Sequence, residues 1–252
     1  MAPRYYRVAA VGSQLGIGVA GSIHLRIDAV GKENGTNAPY CIPNELICAQ
    51  LATHLRLPVP PSALVKSTSV APMFASLNFN MSGNSLPPAD PARCYSLSPI
   101  YSTGLLLFDI LVANSDRHAG NLAIDAASKP PQLHIFDHSH ALLGNAQDRG
   151  VDRLHAMTDR LAVTGGLFTG GNRHCLLDVV DSDRHFPLWI DRITKLPDFQ
   201  IEEACIDARP LGLSAPETDA CERFLKRRRD EYAKLINDNR SEFSAIATWN
   251  LV

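Results

Sequence analysis

Between Asn114 and Asn121 the chain reads Asn-Ser-Asp116-Arg-His118-Ala-Gly-Asn121, and sixteen residues after Asn121 comes Asp137, in Ile135-Phe-Asp-His-Ser-His. Asp116 and Asn121 stand five apart in a polar loop that leaves an apolar helical run, while Asp137 closes an apolar extended run. Phosphoryl transfer asks for this set of side chains. One carboxylate orients an acceptor hydroxyl, and an amide with a second carboxylate holds Mg²⁺ on nucleotide phosphates. All three are hard oxygen groups, which Mg²⁺ prefers, and a hairpin returning Asp137 beside Asn121 would gather them. The five-residue spacing alone also suits ordinary turn chemistry, because Asn, Ser and Asp favour loops.

Two other groupings carry competing chemistry. Gly12-x-x-x-Gly16-x-Gly18-x-x-Gly21 could cover phosphates with backbone N–H groups. Part of it matches the dinucleotide-binding spacing, but an extended run follows where that motif needs a helix, and a plain hairpin turn is the simpler reading. His134, Asp137, His138, His140 and His118 could instead form a metallohydrolase cluster. If Leu133 to His138 is extended, His134 and His138 share one face and Asp137 takes the other, which splits the ligands.

The chain resembles HipA-like kinases, and its catalytic loop is similar to that of phosphatidylinositol 3- and 4-kinases. The resemblance rests on Asp116-Arg-His-x-Gly-Asn121, Ile135-Phe-Asp-His-Ser-His, Asn44-Glu45-Leu, Leu57-Pro-Val-Pro-Pro61 and Ile190-Asp-Arg-Ile-x-x-Leu-Pro. It implies a two-lobed α+β kinase-like fold that binds ATP and Mg²⁺ in a cleft and phosphorylates protein Ser or Thr. By that resemblance Asp116 is the catalytic base, and Asn121 and Asp137 are the Mg²⁺ ligands. Glu45 pairs with the lysine that positions ATP. Apart from the resemblance, Gly16 and Gly18 of the glycine-containing stretch are candidates to cover the phosphates, and His118 either supports the loop or faces phosphate. The family carries that lysine on a strand before the Asn-Glu-Leu helix. Here the most strand-like stretch, Ile23-His-Leu-Arg26-Ile, offers Arg26, and the nearest lysine, Lys32, sits in Gly31-Lys-Glu-Asn-Gly, which reads as a turn. Arg26 and Lys32 are both candidates, though a guanidinium does not replace a compact ammonium between α- and β-phosphates. A pseudokinase acting as a binding module, a lipid or small-molecule kinase, and the His/Asp metallohydrolase are the alternatives.

The surrounding elements must position these residues. A small β-rich lobe is expected over residues 1–75, with runs at Tyr6–Ala10, Ile23–Ile27 and Ala63–Lys66 around a helix from Asn44 to Leu55 whose stripe is Leu46, Ile47, Leu51, Ala52 and Leu55. The larger lobe, 76–252, begins in Ser-, Asn- and Pro-rich sequence over 67–99 that reads as connection and loop. A helix from Ser98 to Ala113 is apolar nearly all round and therefore buried. The extended runs Leu122–Ile124 and Leu133–Phe136 form a hairpin around a Ser-Lys-Pro-Pro turn. A last helix from Ala215 to Asp238 opens on the capping pair Ser214 and Glu217. Its basic run Lys226–Arg229 reads as a solvated flank, and Asp178, Asp181, Asp183 and Asp191 as surface charge.

Composition sets outer bounds. The chain has 252 residues, 45% of them hydrophobic and 20% charged, which suits a folded globular protein. Twenty-four Lys and Arg against 26 Asp and Glu leave a net charge of −2, so no general positive field recommends nucleic acid or an anionic membrane. The longest apolar run, Gly104–Ala113, falls short of the roughly 20 residues of a membrane span and contains Asp109. Six scattered cysteines without close spacing read as free thiols, and a cytoplasmic protein is expected.

Overall fold

The computed structural model describes residues 5–16, 21–68, 70–80, 88–125, 129–165 and 173–250. Its architecture is α+β, with the strands concentrated in the N-terminal part and the helices in the C-terminal part. Strands β1 (Val8–Gln14) and β2 (Ile23–Ile27) form an antiparallel hairpin. Strands β3 (Ala29–Lys32), β4 (Ser62–Ser67) and β5 (Val70–Leu77) form a second antiparallel sheet in the order β3-β5-β4. Helix α1 (Cys41–His54) packs between β5 and the later helix α6 (Asp198–Ala208). The expected stripe of α1 is buried, and so are its polar positions Asn44 and Glu45.

Two elements appear where connecting loop was expected. Strand β5 contains Pro72, which argues against a central strand. The register between β4 and β5 shifts between the Val65↔Met73 and Ser67↔Val70 pairs, so Pro72 falls at an irregularity where its missing N–H costs no ladder bond. The second is helix α2 (Pro91–Leu97), where the Asp90 side chain accepts from Ala92 N at 3.0 Å and Pro91 takes the first helical position. The expectation of a turn at Gly31-Lys32 also fails, because Gly31 and Lys32 pair with Ala75 and Phe74 as the end of β3.

Helix α3 (Pro99–Leu111) is the centre of the C-terminal part, and every residue from Ser102 to Leu111 is buried. Gly104 is required there. A Cβ at that position would lie 2.2 Å from the indole of Trp189, which comes from α5 (Phe186–Thr194) and donates from Nε1 to Ile100 O at 2.8 Å. A hairpin of β6 (Leu122–Asp125) and β7 (Gln132–Ile135) follows α3, and helix α4 (Val151–Met157) comes after it. The expected last helix divides at Glu231 into α7 (Ala215–Asp230) and α8 (Tyr232–Asp238), and its capping box at Ser214 and Glu217 is present.

The surface reading of the two charged groups holds for Arg227, Asp178, Asp181 and Asp191, which are exposed, and fails for three residues. Arg228 and Arg229 are buried. Arg228 donates to Met157 O and Ile110 O, each at 2.6 Å, and Arg229 to Leu196 O at 2.7 Å, so these two join helices while Arg227 stays exposed. Asp183 is buried as well and accepts from Asn250 N at 2.6 Å. All six cysteines are free thiols. No described helix is long and apolar enough to cross a membrane.

Candidate active site

The β3–β5 register determines what faces the main cleft. Val30 pairs with Ser76 and Lys32 with Phe74, and strand alternation puts all four on one side of the sheet, where they line a cavity of about 400 Å³. Its apolar end adds Val59, Leu122 and Ile135, with the rings of Phe79 and Phe136 5.6 Å apart. Its polar end holds Lys32, Glu45 and Asp137. Lys32 Nζ donates to Glu45 Oε1 at 2.5 Å and lies 2.7 Å from Asp137 Oδ1. Glu45 Oε1 also accepts from the His138 backbone N–H at 2.9 Å, so one carboxylate from α1 fixes both the lysine and the start of the Asp137 turn.

One ammonium serves two carboxylates whose burial differs. Desolvation pushes the deeply buried Glu45 carboxyl up even with Lys32 beside it. Asp137 feels the same desolvation, but Lys32 and the Ser139 hydroxyl and N–H outweigh it and hold Asp137 well below the usual carboxylate range. For Lys32, burial works to lower the pKa and the two carboxylates prevail, leaving the shift upward and the ammonium charged.

The polar loop after α3 is anchored from beneath. Asp109, fully buried on α3, accepts from Arg117 Nε at 2.7 Å, from Asn114 Nδ2 at 3.0 Å, and meets His174 Nε2 at 3.0 Å. Desolvation would raise the Asp109 carboxyl, but Arg117 and His174 overcome it and hold it low. Arg117 passes this anchorage on, because its Nη1 donates to Asn121 O at 2.9 Å and also to Phe136 O. One guanidinium thereby ties the backbone of Asn121 to the residue before Asp137. Asn121 Nδ2 donates in turn to Asp116 O at 3.1 Å. Asp137 itself has φ +64, a left-handed conformation uncommon for a non-glycine residue, at the point where the chain turns from β7.

Asp116, Asn121 and Asp137 thus belong to one hydrogen-bonded unit, with Glu45 and Lys32 joined to it through Asp137 and His138. Arg26 does not join it, since it is exposed on β2 and pairs with Ala10 in the separate hairpin. Gly16, with φ +61, lies in the β1–β2 connection and does not line the cavity, and Gly18 lies outside the described residues. His118 is exposed, and its Nδ1 accepts from Gly120 N at 3.1 Å, capping the short turn that ends at Asn121. The imidazole cluster is dispersed. His134 stacks on Phe79 with ring centroids 4.2 Å apart, while His138 turns edge-on to Phe108. Among the described residues no group of three or more His, Cys, Asp and Glu side chains could hold a metal.

Asp109, Arg117 and His174, which anchor the polar loop after α3, are not among the residues the sequence pointed to. The signal was present in Asp109, a carboxylate in the middle of an apolar helix that must be buried and therefore needs a cationic partner.

Comparison with known proteins adds three findings. A family model described as HipA-like kinase matches residues 31–164. The Helicobacter pylori proinflammatory kinase CtkA is similar in structure over 97% of this chain and 98% of its own, with a TM-score of 0.55 at 14% identity. HipA of the Shewanella oneidensis MR-1 toxin–antitoxin system, solved with HipB and its operator DNA, aligns over 96% of this chain and 68% of its own, with a TM-score of 0.45 at 15% identity. No curated protein matches the chain.

Proposed function

The chain belongs to the HipA-like kinase family, and from that premise we propose that it transfers the γ-phosphoryl group of ATP, with Mg²⁺, to a Ser or Thr hydroxyl of a protein. The observation that carries this reading is the Lys32–Glu45–Asp137 cluster at the polar end of an otherwise apolar cleft. An apolar slot suits a nucleobase, and a charged lysine held by a buried carboxylate suits the phosphates next to it.

The residues present fit the cation. Asp137 and the side-chain oxygen of Asn121 are hard donors, and two protein ligands with phosphate oxygens are the usual share for Mg²⁺. Bound there, the ion would neutralise charge on the phosphates. Lys32, oriented by Glu45, holds the phosphates from the sheet side. Asp116 accepts the proton of the acceptor hydroxyl as that oxygen bonds to the γ-phosphorus and the bond to the bridging oxygen breaks, leaving ADP. Residue 75 falls inside β5, so we place the lobe boundary after Leu77, where that strand ends. The free cysteines support a reducing, cytoplasmic setting.

The test separates binding from transfer. MgATP is expected to raise Tm, because a ligand that binds only the folded state stabilises it. Asp116→Ala should keep that rise and lose label transfer from γ-labelled ATP by about a hundredfold or more. A Tm indifferent to MgATP would overturn the nucleotide site. Binding with transfer unchanged in Asp116→Ala would overturn the assigned base, and binding without any transfer would mark a pseudokinase.

A further inference from the structure

Arg117 ties the catalytic and metal-binding loops together at one side only, through the carbonyls of Asn121 and Phe136. A second buried guanidinium, Arg153 of α4, stands at their other ends. Its Nη1 donates to Leu142 O, and its Nη2 donates to Ala113 O at 2.6 Å, to Ser115 Oγ at 3.2 Å and to His140 O at 3.3 Å. Ala113 and Ser115 lead into Asp116, while His140 and Leu142 lead out of the Asp137 turn. One planar side chain therefore bridges the same two loops from the opposite side.

The backbone it holds is not relaxed. Ala113 (φ 50) and Leu142 (φ 43) are both left-handed, a conformation that non-glycine residues keep only where their surroundings fix them. Both carbonyls go to Arg153, and Leu142 N donates to Val112 O at 2.8 Å. Arg153 is fully buried, with Asp148 Oδ2 3.7 Å from its Nε, and burial pulls its pKa down to about 10, still charged at neutral pH. A charge kept in the interior with four loop acceptors around it is costly unless those acceptors are held in place, so the site works as a brace.

We propose that Arg153 is a positioning residue that sets the separation of Asp116 from Asn121 and Asp137. The proposal rests on the phosphotransferase reading above. Its consequence is specific, because the apolar slot and the Lys32–Glu45 pair are not among the groups Arg153 bonds. Loss of the brace should impair turnover and cation use while leaving nucleotide affinity in place.

The test is Arg153→Lys, which keeps the charge but cannot span both loops. Three quantities are read: turnover of γ-labelled MgATP by transfer to the protein itself or to water, the Mg²⁺ concentration for half-maximal rate, and the Kd of a non-hydrolysable ATP analogue. Turnover per folded molecule is expected to fall about tenfold or more and the Mg²⁺ midpoint to rise about fivefold, with the analogue Kd within about twofold of wild type. A purely structural role would lower activity only with the folded fraction and leave the Mg²⁺ midpoint unmoved, and that result overturns the proposal. Should Arg153→Lys not fold, Asp148→Asn removes the counter-charge and keeps an acceptor for Asn145 N, 2.9 Å away. The same split in smaller measure supports the brace, and wild-type values overturn it. A wild-type protein that neither binds MgATP nor transfers label defeats the phosphotransferase reading and the brace with it. An active wild type with indifferent variants defeats the brace alone.

Discussion

His138 and His174 are buried on either side of Asp109, and both stay neutral under conditions that protonate an ordinary imidazole. Burial pushes His138 down to about 3, with Arg117 adding to the effect, and burial also lowers His174 against the pull of Asp109. A histidine whose folded pKa lies below its unfolded value binds more protons when unfolded. Its contribution to stability is therefore whole above about pH 6.5 and is lost as pH falls below that value, by up to about 1.4 kcal/mol per pH unit for each group. Asp109 and Asp137 have depressed values, so their contribution persists to about pH 3.9 and fails only below it. Unfolding free energy measured in urea should accordingly decline from pH 7 to 5, before Asp109 and Asp137 are involved, with the raised Glu45 carboxyl the one opposing contribution in that range. A flat profile over that range would mean that the two imidazoles are solvated. At this scale the sequence spoke unevenly. That Asp116, Asn121 and Asp137 would come together was legible because each lies in a short segment of compatible residues. The choice between Arg26 and Lys32 was not, because it depends on which strand lies against Glu45, thirteen residues beyond Lys32.

Among the elements, helices were read where a single stripe or an all-apolar run dominates, as in α1 and α3, and were misjudged where a tertiary partner changes the pattern. The basic run on α7 looked solvated because four consecutive cations rarely enter a core, yet two of them, Arg228 and Arg229, turn inward and donate to carbonyls near the C-terminal ends of α3 and α4 and just past α5. Strand β5 was hidden by Pro72, whose tolerance depends on a register no local signal gives. The contact between α3 and α5 provides a direct check on helix packing. Gly104→Ala places a methyl where the Trp189 ring already stands, 2.2 Å away, and the helix must shift to admit it. Helix propensity favours Ala over Gly by up to about 1 kcal/mol, but overpacking of this kind costs about 1–3 kcal/mol. The substitution is therefore expected to lower Tm, as read by thermal unfolding, and a raised Tm would show that α3 and α5 do not meet as closely as described.

Across the whole molecule, the β-rich and helical parts are unequally joined. Helix α1 belongs to the first part by sequence but packs on α6, and neighbouring residues reinforce that seam. Tyr40 Oη donates to Glu217 at 2.5 Å, Asn34 Nδ2 to Leu211 O at 2.8 Å and Gln50 Nε2 to Asp207 at 2.8 Å. Glu45 is consequently carried by an element packed on the helical core. Every residue of β1 and β2 is exposed, and Val11 keeps 68% of its surface in water. The hairpin is continuous with the cleft through Arg7 N to Asn78 O at 3.0 Å and Asn78 N to Asp28 O at 2.9 Å, and Asn78 lines the cavity. A two-stranded ribbon without a covered face is marginally stable. Native-state hydrogen exchange should therefore find amides of β1 and β2 opening far below the global unfolding free energy, while those of α1 and α3 exchange only with global unfolding. If the glycine-bearing turn covers phosphates, MgATP will slow exchange in β1 and β2 more than in α5 or α7, which lie away from the cleft. Equal slowing everywhere would reflect only the general stabilisation that any tight ligand confers, and it would leave the hairpin with no part in holding the nucleotide.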